Sequence, residues 1–135
     1  MSAVNNIDKE KKTTGKIDTE AELIPIIIDS ISDIKGKSVV QLDLRKLDDR
    51  PTDFFIICEG DSVTQVRAIS ENIKRRLKDE MGLLPHRSEG IVGAKWVLVD
   101  YFDVVVHVFY RDTRSYYELE DLWSDGVLTE YEDVI

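Results

Sequence analysis

The stretch WVLVDYFDVVVHVFY, residues 96–110, constrains the fold more than any other part of the chain. Two runs of β-branched and aromatic residues flank the tripeptide Tyr101-Phe102-Asp103, the pattern of a tight hairpin. A period of two puts Val97, Val99, Tyr101, Val104, Val106 and Val108 on one face, which is aliphatic enough to be a core face. If Phe102 and Asp103 are the turn residues, Asp100 opposes Val105, Leu98 opposes His107, and Trp96 opposes Phe109. The second face then mixes Trp96, Leu98, Val105 and Phe109 with a carboxylate, Asp100, and an imidazole, His107. Two readings of that face stand. Either a helix covers it and His107 is a core or boundary residue, or it is an exposed docking patch with the aromatic and polar composition of interface hot spots.

A hairpin needs further strands or a helix to be stable. Thr19 and Glu22 make a T-x-x-E capping box ahead of Leu23, Ile24, Ile27, Ile28, Ile31 and Ile34, apolar at helical spacing. Pro25 either opens that helix or kinks it, and Gly36 ends it. SVVQLDL (38–44) and DFFIICEG (53–60) read as buried strands around the turn material DDRPTD. Ser62 caps a second helix, whose inner stripe is Val63, Val66, Ile69, Ile73, Leu77 and Met81 and whose stop is Gly82. Residues 83–94 are a connector with room for a short edge strand, and TRSYYELEDLW is a short third helix. The order α-β-β-α-(β)-β-β-α predicts an α/β fold, a mixed β-sheet with helices packed on it. Residues 1–18 are expected as a mobile tail, 19–124 as a single domain, and 125–135 as an acidic tail.

The single Cys58 lies in FFIIC and reads as a buried hydrophobe in a reducing compartment. One cysteine excludes a disulfide framework or a thiolate zinc site. No apolar run approaches the ~20 residues of a membrane span, and the first twenty residues lack the features of a secretory or transit signal, so a cytoplasmic location is expected. The net charge of −9 is uneven. Residues 115–135 hold seven acids and no Lys or Arg, leaving 20 acids against 18 bases in the remainder. Such a field disfavours nucleic acid and favours a basic partner.

Candidate chemistry is sparse. Asp100 lies diagonal to His107 and could orient it as a base, but neither Ser62 in its cap nor Cys58 in its strand suits a nucleophile. EGDS (59–62), between a strand and a helix, could hold a phosphate as in nucleotidyltransferases, whose chemistry also needs paired carboxylates. Asp43 and Asp100 are the only candidates, and no D-x-D pair exists. Two histidines without a carboxylate cluster do not make a metal centre. Lys74, Arg75, Arg76 and Lys78 are interspersed with acids and read as a solvated face. No cofactor, metal or enzymatic activity is expected.

Three motifs, DFFIICEGDSVTQVRAISENI, KWVLVDYFDVVVHVF and TRSYYELEDLW, together resemble the ribosomal silencing factor family, also called the Iojap family, over about residues 20–124. The resemblance implies a nucleotidyltransferase-like fold without enzyme activity; that alternative activity is the second reading. It implies binding to the large ribosomal subunit through ribosomal protein uL-fourteen, steric blocking of small-subunit joining, repression of translation, and a possible homodimer. No membrane and no sequence-specific nucleic acid enter that picture. The implied partner-binding surface falls on Trp96, Leu98, Asp100, Val105, His107, Arg114, Tyr117 and Glu120. The family usually has glycine in the hairpin turn where this chain has Phe102. A type I′ turn needs positive φ at both central positions, which is costly for Phe and leaves the register open to a longer turn.

Overall fold

The computed structural model describes residues 17–133. Of the tail expected over residues 1–18, all but Ile17 and Asp18 lies outside that range. A six-stranded sheet in the order β3-β4-β5-β2-β1-β6 carries the fold. Its strands are β1 (Lys37–Asp43), β2 (Phe54–Gly60), β3 (Arg87–Glu89), β4 (Trp96–Asp100), β5 (Val104–Tyr110) and β6 (Val127–Glu130). β2 and β5 run parallel, and the other neighbouring pairs are antiparallel. The helices are α1 (Ile24–Asp33), α2 (Val63–Met81), α3 (Arg111–Tyr117) and α4 (Leu119–Leu122).

The two long helices cover one face. Ile24, Ile27 and Ile31 of α1 and Val66, Ile69, Ile73 and Leu77 of α2 meet Phe54, Ile56 and Cys58 of β2 and the hairpin valines 97, 99, 104, 106 and 108. The spacing of the α2 residues is what turns one stripe of that helix inward. Each such side chain contributes roughly 1.5–3 kcal/mol by leaving water, which makes this layer the main source of stability. Ser62 Oγ accepts the Gln65 N–H at 3.0 Å and Gln65 Oε1 accepts the Asp61 N–H at 2.7 Å, so the start of α2 is capped reciprocally. Gly82, at φ 65°, closes it in the left-handed conformation that glycine adopts without strain.

The first helix departs from expectation at both ends. Asp18, not Thr19, is its cap, accepting the Ala21 N–H at 3.0 Å while Glu22 Oε2 accepts the Asp18 N–H at 3.2 Å. Residues Thr19–Leu23 form one wide π turn before α1. Pro25 follows within the first turn of α1, and the wide turn is where a ladder missing one N–H takes up the mismatch. At the far end Lys35, at φ 60°, makes the left-handed turn. Gly36 is required for a different reason: a Cβ there would collide with the Ile31 side chain.

The hairpin register matches the expectation. Asp100 pairs with Val105, Leu98 with His107, and Trp96 with Phe109. The turn that allows this is not type I′. Phe102 alone has positive φ, 71°, and the Asp103 N–H donates to the Tyr101 carbonyl at 2.9 Å, the pattern of a γ-turn centred on Phe102. Asp100 Oδ1 accepts the Phe102 N–H at 2.8 Å, Thr52 Oγ1 donates to the Phe102 carbonyl at 2.6 Å, and the His86 ring lies 4.2 Å from the Phe102 ring. These contacts over-determine a conformation that phenylalanine disfavours.

Two further expectations are corrected. The segment read as an acidic tail contains β6, whose Val127, Leu128, Thr129 and Glu130 pair with Asp43, Leu42, Gln41 and Val40. The segment read as one third helix is two, broken at Glu118, which takes φ 48° between α3 and α4.

Candidate functional site

The sheet face opposite α1 and α2 carries a second core of Val40, Leu42, Leu44, Phe55, Ile57, Val105, Phe109 and Leu119, with Trp96, Leu98 and Trp123 packed at its margin. The α3–α4 segment folds back over the end of this face because Arg114 anchors it. Arg114 is buried, and its guanidinium donates to Glu120 Oε2 at 2.7 Å, to Glu59 Oε1 at 3.2 Å and to the Ser38 carbonyl. One side chain thereby joins α3 to α4, β2 and β1. Burial raises the Glu59 carboxyl above its ordinary range, against the pull of Arg114.

His107 is a core residue, so the face is not the open patch that one reading of the sequence allowed. It is 4% exposed. Its Nδ1 accepts the Trp96 indole N–H at 3.0 Å, and the Phe55 ring stands edge-on to it at 4.7 Å. An imidazole that accepts at Nδ1 carries its proton on Nε2, and Nε2 is buried without a partner among the described residues. Burial lowers the His107 pKa to about 4, so the ring is neutral at neutral pH. Asp100 does not orient it. That carboxylate is turned away to the Phe102 N–H and to Arg87 Nε, at 2.8 and 3.2 Å.

The low His107 pKa has a stability consequence with a definite sign. Between the unfolded value near 6.5 and about 4, the unfolded chain binds the proton and the folded chain does not, so stability falls as pH falls through that window. Glu59, with its raised pKa, works in the opposite direction within the same window, because the folded chain takes up that proton at a higher pH than the unfolded chain does. Lowering the pH from 7 to 4.5 should cost about 2–3 kcal/mol through His107, read from denaturant midpoints. In His107→Phe the same pH step should leave stability nearly level; an equal loss in both proteins would remove His107 as the cause.

What remains accessible is an aromatic ridge at one end of the hairpin. Tyr117 packs on Trp96 with ring centroids 4.7 Å apart, Trp96 stacks on Phe109 at 5.0 Å, and Tyr116 meets Tyr117 edge-on at 5.1 Å. Tyr117 is half exposed and Tyr116 more so. Of the eight residues that the sequence assigned to the surface, Tyr117 is exposed, Trp96, Leu98, Asp100 and Glu120 are half-buried, and Val105, His107 and Arg114 are buried. The structure brings Trp96, His107 and Tyr117 together and joins Arg114 to Glu120, while Asp100 stands with Arg87 at the other end of β4. Tyr116, Glu59 and Trp123 belong to the same neighbourhood and went unassigned. The run of aromatics after Tyr110 was the available signal for Tyr116.

The candidate enzyme groups do not meet. Asp43 ends β1 and Asp100 ends β4, and two strands lie between them. At about 4.8 Å per strand the separation is about 14 Å, too far to share an ion. EGDS closes β2 and leads out of it, and because β2 is antiparallel to β1 it sits at the opposite end of the sheet from both. Asp43 is held by Arg45 at 2.6 Å. Among the described residues no group of three or more His, Cys, Asp or Glu is placed to hold a metal ion. Burial pushes the Cys58 thiol up to about 12, which suppresses the thiolate. No helix among the described residues is long and apolar enough to cross a membrane.

Residues 17–134 match the family described as ribosomal silencing factor during starvation. The chain belongs to the ribosomal silencing factor family. It is 43% identical over 114 residues to a ribosomal silencing factor of Halalkalibacterium halodurans, covering 84% of this chain and 96% of that one. It is 40% identical over 111 residues to the factor of Bacillus subtilis, covering 82% and 92%. A crystal structure of a protein from Chromobacterium violaceum aligns with a TM-score of 0.75 at 38% identity, covering 80% of this chain and 88% of that chain. The family match extends past Ser124 and takes in β6, where the three sequence motifs stop.

Proposed function

We propose that this chain represses translation by binding the large ribosomal subunit through ribosomal protein uL-fourteen and blocking the small subunit from joining. Family membership over residues 17–134 is the observation that carries this reading. The ridge of Trp96, Tyr117 and Tyr116 beside an acidic C-terminal stretch has the composition of a surface that docks on a basic protein. In this reading Trp96, Leu98, Asp100, Tyr117 and Glu120 reach the partner, while Val105, His107 and Arg114 hold the surface in shape. Self-association is proposed as well: the outer side of β6 has no strand against it among the described residues and carries exposed Val127 and Leu128, features through which a second copy can add to a sheet.

The test is sedimentation of the purified chain with separated subunits. It should travel with large subunits alone and reduce assembled ribosomes in proportion to occupancy, in buffer containing a chelator for trace transition metals and no added nucleotide. Equal co-sedimentation with small subunits, or none with either, would overturn the reading. Nucleotidyl transfer that depends on Ser62 or Asp43 would favour an enzyme instead.

A further inference from the structure

Between the start of β4 and α3 lies a cleft of about 440 Å³. Its walls are Trp96, Tyr110, Tyr116 and Tyr117, with Asp112 and Lys95 also lining it. Tyr116 is 81% exposed, so its ring is not held by the core. Asp112 is also largely free: its contact with Arg111 is long, 3.8 Å, and both side chains are more than half exposed. Four aromatic rings and one available carboxylate therefore converge on an open space.

We infer that this cleft takes an arginine side chain presented by the protein surface on which the chain docks; the inference rests on the proposed function for the identity of that surface. A guanidinium is planar, stacks on aromatic faces and is weakly hydrated, so it enters a space walled by rings at little desolvation cost. Its fork then reaches a carboxylate at the side of the cleft, the place of Asp112. A lysine fits less well. Its ammonium is compact and strongly hydrated, and Lys95 already supplies one there. The field supports a cation, since residues 115–133 that follow α3's first turn contain seven acids and no Lys or Arg.

The probe is N-acetyl-arginine-N-methylamide, with the citrulline counterpart as a neutral control of nearly the same shape. Either is titrated into the whole chain while the two indole N–H signals are followed by NMR. Trp96 lines the cleft and Trp123 does not, so each spectrum contains its own reference. The arginine probe should move the Trp96 signal saturably, citrulline should not, and Trp123 should stay in place. In co-sedimentation with large subunits, Tyr116→Leu and Asp112→Asn should each weaken binding about tenfold, while Tyr116→Phe keeps it. Equal shifts from both probes, no shift from either, or normal subunit binding by both weakened variants overturns the cleft as an arginine site. An arginine-specific shift in a chain that does not bind large subunits at all keeps the cleft and overturns the proposed function.

Discussion

Arg114→Met should cost the fold about 3 kcal/mol, the order expected when one partner of a largely buried ion pair is removed. Three elements depend on this guanidinium, and its removal leaves Glu59 and Glu120 half-buried with no cation between them. Arg114→Lys keeps the charge but not the fork, because a single ammonium cannot serve Glu59, Glu120 and the Ser38 carbonyl together. It should fall between the two. The double variant Arg114→Met with Glu59→Gln removes the worse of the two stranded carboxylates and should recover part of the loss. Chemical denaturation of the four proteins at one pH measures all of this. A loss below about 1 kcal/mol in Arg114→Met would mean that solvent already screens the cluster.

Trp96→Ala should be the most damaging change in the hairpin, because it removes packing and a hydrogen bond together. Large aromatic truncations in cores cost about 3–5 kcal/mol; Trp96 is half-buried, so about 3 is expected. The change uncovers Phe109 and strips His107 Nδ1 of its donor. Melting and large-subunit binding should therefore fall together, and this variant alone cannot separate anchor from support. Two others can. Trp96→Phe keeps a ring against Phe109 and Tyr117 and loses the indole N–H, a loss of about 1 kcal/mol. Tyr117→Ala touches a half-exposed residue and should leave the melting temperature nearly in place while weakening subunit binding more than tenfold. Normal binding by a folded Tyr117→Ala protein would move the docking surface away from the ridge.

The parts of the fold that could be read from the sequence are those in which a short period repeats and its ends are marked. The hairpin register follows from the valine alternation, and α2 follows from its stripe between Ser62 and Gly82. β6 could not be read in this way. All four of its residues are exposed, so no alternation marks it, and its acidic flanks look like solvated chain. The break at Glu118 was hidden for a related reason: nothing local to a glutamate announces positive φ, which here comes from the fold-back that Arg114 imposes. The site was legible as a list of residues but not as depths. Period two assigns Trp96 and His107 to one face, yet their depths follow from tertiary packing: Trp96 and Phe55 close over His107, and Trp96 itself stays half-buried.

The pairing of β6 with β1 also bears on how the chain is made. Val40 meets Glu130, ninety positions further along the chain, and the parallel match of Phe54 with Val104 spans fifty. Such distant matches close large loops and form late in folding. During synthesis β1 and β2 emerge before β6, and the apolar edge of β1 stays open until Val127–Glu130 has left the exit tunnel. For that interval the nascent protein offers strangers the edge of β1 to pair with, and β6 is the latch that covers it.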